Sequence, residues 1–187
     1  MQIEDAIRSL IKEIGEDPER PGLRNTPDRI ARMYREELTF GYNQSPHEVI
    51  NDAIFDEKYD EMVIIKDVEF YSLCEHHMLP FFGKCHVAYV PNGKIIGLSK
   101  IPRLIEIYSR RLQLQERMTM NIADILNETL SPHGVGVVAE AFHLCIAMRG
   151  VKKARANMLT SSMLGVFKKD ERTRAEFLSL IGQNSLK

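Results

Sequence analysis

The sequence predicts an α+β fold with an antiparallel sheet, because helical and strand textures come in blocks instead of alternating. The blocks run helices, two strands, two helices, two strands, helix. Two hairpins separated by a helix pair fit a helix-backed antiparallel sheet better than a parallel array. Ile3, Ala6, Ile7, Leu10, Ile11 and Ile14 recur at helical spacing, and Gly15 ends the pattern. A polar link over 17–25 follows. Thr26 reads as an N-cap and Pro27 as the first helical residue, ahead of an apolar stripe of Ile30, Met33, Tyr34 and Leu38. Ser45 and Glu48 have capping-box spacing and open a short third helix. Residues 62–71 and 81–90 are rich in β-branched and aromatic side chains and read as strands, joined by a link over 73–80. Pro91-Asn92-Gly93 marks a turn. Helices follow over 99–112 and 115–131, the second burying Met118, Ile122, Ile125, Leu126 and Leu130. A long strand covers 135–148 and a weaker one 152–164. A last amphipathic helix carrying Phe177, Leu178 and Ile181 ends at Gly182. Residues 1–56 thus read as an N-terminal helical region and 57–187 as an α+β domain.

Composition excludes several function classes. The 187 residues carry 25 Lys+Arg against 26 Asp+Glu, a net charge of −1, so no broad nucleic-acid-binding surface is expected. Any polyanion must meet a local concentration of positive charge. Apolar residues make up 44 %, and a chain of this mass buries roughly 70 % of its extended surface, enough for a core without staples. No apolar run reaches the length of about 18 residues that a membrane helix needs. The start, MQIEDAIRSL, is acidic where a signal peptide is basic, so a cytoplasmic location is expected. Three cysteines make a poor disulfide framework and leave metal binding or buried thiols.

Cys74-Glu75-His76-His77 puts a thiol and an imidazole at C-x2-H spacing, from which both reach one ion across a tight turn. His143 and Cys145, at i and i+2 on the expected strand, would share a face with Ala139, Ala141 and Ala147. Cys74, His77 and Cys145 then form a Cys2His donor set with His76 and His143 beside it. Three protein ligands leave a fourth position open, the mark of catalytic Zn2+. His143 is the natural base because a neutral imidazole titrates near pH 7. Cys85 falls on a strand and is assigned to packing. Ser99, Lys100 and Arg103 open a helix, where N–H groups and full charges favour an anion. Arg149 follows the Cys145 strand, and Arg29 lies near the start of the second helix. Gln115-Glu116 begins a helix, and the carboxylate could serve the dipole or pair with two donors of a guanine-type edge. A non-catalytic zinc scaffold and a metal-free thiol core remain as alternatives on these residues alone.

TPDRIARMY, FYSLCEHHMLPFFGKCHVAYVP, GLSKIPR, QLQERMT, FHLCIAMRGV and LTSSMLGVF, in this order, resemble GTP cyclohydrolase I, from about Thr26 to the end. The resemblance implies the tunnelling fold, a two-strand, two-helix, two-strand unit that assembles into rings, and a homodecamer of two pentamers with sites between subunits. It implies zinc on Cys74, His77 and Cys145, with His143 as general acid/base and His76 assisting. Water would attack C8 of GTP, releasing formate and 7,8-dihydroneopterin triphosphate, the first step of pterin (tetrahydrofolate) synthesis. Glu116 would grip the guanine edge, with Gln115 and Ser99 near the sugar and zinc. Lys100, Arg103, Arg149 and Arg29 would hold the triphosphate. A nitrile reductase of the same fold, with a cysteine nucleophile and NADPH, is the nearest rival. The complete Cys2His set and two spare histidines favour the hydrolase.

Overall fold

The computed structural model describes residues 2–183. They form two compact units divided after Phe40, and each is described by itself.

In the first unit, α1 (Ile3–Glu13) packs on α2 (Thr26–Arg32), with Ile11 and Ala31 buried. Asn25, not Thr26, takes the N-cap place. Thr26 is already helical, and Pro27 sits in the first turn, where its missing N–H leaves no bond unmade. The stripe from Met33 to Leu38 is a π-helical turn and not the expected α-helix. The Thr39 N–H and hydroxyl both donate to the Tyr34 carbonyl, at 3.0 and 2.6 Å, which sets the wider i→i−5 spacing.

The second unit holds α3 (Pro46–Ile50), β1 (Ile54–Asp56), β2 (Val63–Cys74), β3 (Pro80–Val90), β4 (Lys94–Ile96), α4 (Lys100–Ser109), β5 (Leu112–Gln113), α5 (Gln115–Leu130), β6 (Gly134–His143), α6 (Leu144–Ala147), β7 (Asn157–Gly165), α7 (Val166–Lys169) and α8 (Glu171–Gly182). Ser45 Oγ accepts the Glu48 N–H, as the capping spacing predicts. The main sheet has the order β5-β2-β3-β6-β7 and is antiparallel apart from the two-residue β2–β5 pairing. β1 and β4 pair separately. This is the α+β antiparallel architecture read from the block order.

One sheet face carries the main core. Phe81, Val87, Tyr89, Val135 and Val137 pack with Leu104, Ile122 and Leu126 from α4 and α5. The opposite face carries a smaller cluster under α7 and α8, where Phe167 meets Phe177 edge-to-face at 5.6 Å. Gly136 makes room for that pair, since a Cβ there would stand 2.9 Å from the Phe167 ring. A bulge between Ile65 and Val68 places Asp67 at φ +60°. Beside it, Lys66 Nζ donates to the carbonyls of Leu180 (3.2 Å) and Gln183 (3.0 Å) at the end of α8.

Three expectations need correction. The strand expected over 135–148 ends at His143, and Leu144–Ala147 form one helical turn. The strand expected from 152 begins at Asn157. The helix expected over 99–112 stops at Ser109, and Leu112–Gln113 instead become β5. Among the described residues no helix is long and apolar enough to cross a membrane.

Candidate metal centre

The site sits at the end of the sheet where β2 turns into β3 and where β6 stops. Cys74 is the last residue of β2 and is pinned on every side. Its N–H donates to Leu79 O at 2.9 Å, and its carbonyl accepts the N–H groups of His77 (3.3 Å) and Met78 (2.8 Å). Met78 takes a left-handed φ of 53°, which closes the turn and carries His76 and His77 back over Cys74. β5 pairs Gln113 with Cys74, and the Glu75 N–H donates to Gln113 O at 3.1 Å. Arg117 of α5 clamps the Glu75 carboxylate at 2.6 and 3.3 Å, and that guanidinium holds the carboxyl below its usual range. Sequence reading assigned nothing to Arg117, whose partner lies 42 residues away.

Cys74, His77 and Cys145 place one ligand atom each within 4.8 Å of one another. Cys74 Sγ lies 3.9 Å from Nδ1 of His77 and 3.9 Å from Nδ1 of His76. A tetrahedral ion with metal–sulfur and metal–nitrogen bonds of about 2.3 and 2.0 Å sets such pairs about 3.6 Å apart, close to the distance found. Burial and then the neighbouring Cys74 push the Cys145 thiol up, because two sulfurs in one pocket resist double ionisation. A divalent cation reverses that cost, since coordinated thiols are deprotonated. The three residues fit a metal that takes sulfur and imidazole, unlike the oxygen-seeking Mg2+ and Ca2+.

The route by which Cys145 arrives differs from the expected one. It is not on the strand with His143, so strand alternation does not align them. The α6 turn after His143 swings Cys145 toward Cys74, with its Sγ 4.0 Å from His143 Nδ1. Ala147 leaves the expected face for the same reason, and Arg149 is not a strand residue. Arg149 lies exposed in the turn after α6, where its charge still favours the Cys145 thiolate.

His143 closes β6 opposite Phe81, and the two rings stack at 4.5 Å with 3° between their planes. Its Nε2 lies 2.8 Å from Gln115 Oε1. Burial lowers the His143 pKa, and the Glu116 carboxylate works against that shift. The structure therefore brings together Cys74, His76, His77, His143, Cys145 and Gln115, with Glu116 and Arg149 close enough to be felt electrostatically. Cys85 is fully buried in the core, and burial pushes its thiol up to about 12, so it packs and does not react.

Ser99, Lys100 and Arg103 belong to the start of α4. Ser99 immediately precedes α4 and Lys100 opens it, with the Lys100 N–H on Gly97 O. Just ahead of it, the Ile96 N–H donates to the Tyr89 hydroxyl at 3.3 Å. Arg29 belongs to α2 of the first unit.

A family model described as GTP cyclohydrolase I matches residues 3–182. A GTP cyclohydrolase 1 of Synechococcus sp. (strain JA-2-3B'a(2-13)) is 60 % identical over 176 residues, 94 % of this chain and 76 % of that protein. One of Chlorobaculum tepidum is 57 % identical over 180 residues, covering 96 % and 80 %. One of Methylococcus capsulatus is 57 % identical over 181 residues, 97 % of each chain. The solved apo structure of an archaeosine synthase QueF-like protein superposes with a TM-score of 0.49 at 16 % identity, over 58 % of this chain and 97 % of that one. By the family model and by relatives that match it over nearly its whole length, this chain belongs to the GTP cyclohydrolase I family of enzymes.

Proposed function

We propose that the chain converts GTP and water to formate and 7,8-dihydroneopterin triphosphate, with Zn2+ held by Cys74, His77 and Cys145. The observation that carries this reading is the convergence of those three ligand atoms beside His143, in a chain of this family. When bound, the ion supplies a Lewis acid that polarises water at neutral pH. The chain's own residues do the rest. Release of C8 as formate breaks two C–N bonds, and each departing nitrogen must gain a proton. His143, held against Phe81 and Gln115, is placed to take and return protons, and His76, 3.9 Å from Cys74 Sγ, assists from the exposed side. The Glu116 carboxylate, exposed in the first turn of α5, can accept two N–H groups of the guanine edge. Lys100, Arg103, Arg149 and Arg29 oppose the triphosphate charge, and Ser99 serves near the sugar and metal, as the family resemblance implies.

Sites lie between copies of the chain, as the family resemblance implies, so Lys100, Arg103 and Ser99 serve the metal cluster of a neighbouring copy. The sheet also has two open edges among the described residues. No strand lies outside β2 before Leu73, and none lies outside β7. Such edges pair with other chains unless something covers them. Edge-to-edge pairing of this unit gives the tunnelling-fold ring, and two stacked pentamers give the homodecamer. The product feeds tetrahydrofolate synthesis and one-carbon metabolism in the cytoplasm.

His143→Ala tests the reading. The expected loss is about 10²–10⁴-fold in kcat with the metal content unchanged. Full activity with metal retained would remove His143 from proton transfer.

A further inference from the structure

Gln115 is buried, yet it heads the first turn of α5 beside the exposed Glu116. Its amide nitrogen faces three acceptors, Ala139 O at 3.0 Å, Met158 O at 3.0 Å and Thr160 Oγ1 at 3.2 Å. Two of these are backbone carbonyls, which accept and never donate. A reversed amide would set Oε1 against both of them, so the carboxamide has one tenable orientation. The hydroxyls agree. Thr119 Oγ1 donates its only hydrogen to Gln115 O at 2.8 Å. At the 2.7 Å contact with Thr160 Oγ1, Thr160 must therefore be the donor. Its remaining lone pair then accepts from Gln115. Oε1 is left facing His143 Nε2 at 2.8 Å, and an amide oxygen requires a hydrogen on that nitrogen.

We propose that Gln115 is a positioning residue for His143: its locked amide holds the neutral imidazole as the Nε2–H form, with the basic lone pair on Nδ1, the nitrogen that faces Cys145. The proton that His143 exchanges with reacting atoms then moves at Nδ1, 4.0 Å from Cys145 Sγ. Phe81, stacked flat on the ring, fixes its plane, and Gln115 fixes its rotation and tautomer. The two amide hydrogens are spent on the interior acceptors. Gln115 thus serves substrate through His143 and not by a contact of its own. The inference rests on His143 as the proton carrier for its catalytic meaning, though not for the tautomer itself.

The test is nitrogen NMR of the 15N-histidine-labelled holoenzyme, at a pH about two units above the ordinary histidine value of about 6.5. The His143 signals are identified by their loss in His143→Asn. The expected wild-type result is a single neutral form with hydrogen on Nε2. In Gln115→Leu the signal shifts toward the other tautomer or a mixture, and kcat falls about 10–100-fold with KM little changed. Thr160→Val shows the same changes more weakly, and Thr160→Ser restores both. A wild-type ring with hydrogen on Nδ1 overturns the proposal, as does Gln115→Leu raising KM while kcat and tautomer stay as they were. Should Gln115→Leu fail to fold, the wild-type spectrum and the Thr160 pair decide the matter. Full turnover in His143→Asn would sink the proton-carrier reading alone, leaving the tautomer readout standing.

Discussion

His86 is 8 % exposed, and its Nδ1 accepts the Asp67 N–H at 3.1 Å, an arrangement that only the unprotonated nitrogen allows. Burial is the largest influence and lowers its pKa. Asp67 and Glu140 oppose the shift, and Lys84 and Lys66 add to it. The unfolded chain therefore takes up this proton first as pH falls. The His86 contribution to stability is whole above about 6.5 and is lost as pH drops from there toward the lowered folded value, at no more than about 1.4 kcal/mol per pH unit. In denaturant titrations across that window, wild type should lose stability relative to His86→Gln. Parallel pH profiles for the two proteins would contradict this. At the same scale, the Cys74-x2-His77 spacing was readable in the sequence because both ligands ride one tight turn. Cys145 does come beside Cys74 and His77, but not by the expected strand, which stops two residues short of it. The work of Gln115 was not readable, since its partners Ala139, Met158 and Thr160 lie 24, 43 and 45 residues away.

β3 and β6 pair tightly at Gly83, where a Cβ would meet Glu140 O and stand 2.7 Å from Ala141 Cα. Both are backbone atoms of the paired strand and cannot swing aside. Gly83→Ala should cost at least about 2 kcal/mol by forcing the ladder apart. The denaturation midpoint should fall with the slope unchanged, and an unshifted midpoint would show that the strands yield without strain. The long elements were legible because each repeats one period over many residues. β2, β3, β6 and α5 declare themselves this way. The short ones were not. β5 is two residues that become a strand only because Leu73 and Cys74 offer a ladder. α6 is four residues whose apolar run continues the texture of β6. Its exit from the sheet is what delivers Cys145 to the metal position, so the least legible element serves the site most directly.

At the scale of the whole molecule, the proposal that Lys100 and Arg103 serve a neighbouring copy predicts complementation. Cys145→Ala would destroy the metal half of a site, and Arg103→Ala would weaken the triphosphate half. Co-assembled in equal amounts, they should regain up to about a quarter of wild-type activity, the share of random sites with both halves intact. No recovery in mixed oligomers would place both halves in one chain. The open edges were not legible from patterning, since an edge such as that of β7 reads in the sequence like any other strand. The central proposal is that Cys74, His77 and Cys145 would hold a metal ion needed for this chain to open the purine ring of GTP. Zinc-loaded protein incubated with GTP, followed by pterin fluorescence and formate release, tests this most directly. The account predicts equal amounts of pterin and formate, abolished by a chelator and by Cys145→Ala. Intact GTP in the presence of metal, or turnover that survives its removal, would contradict it.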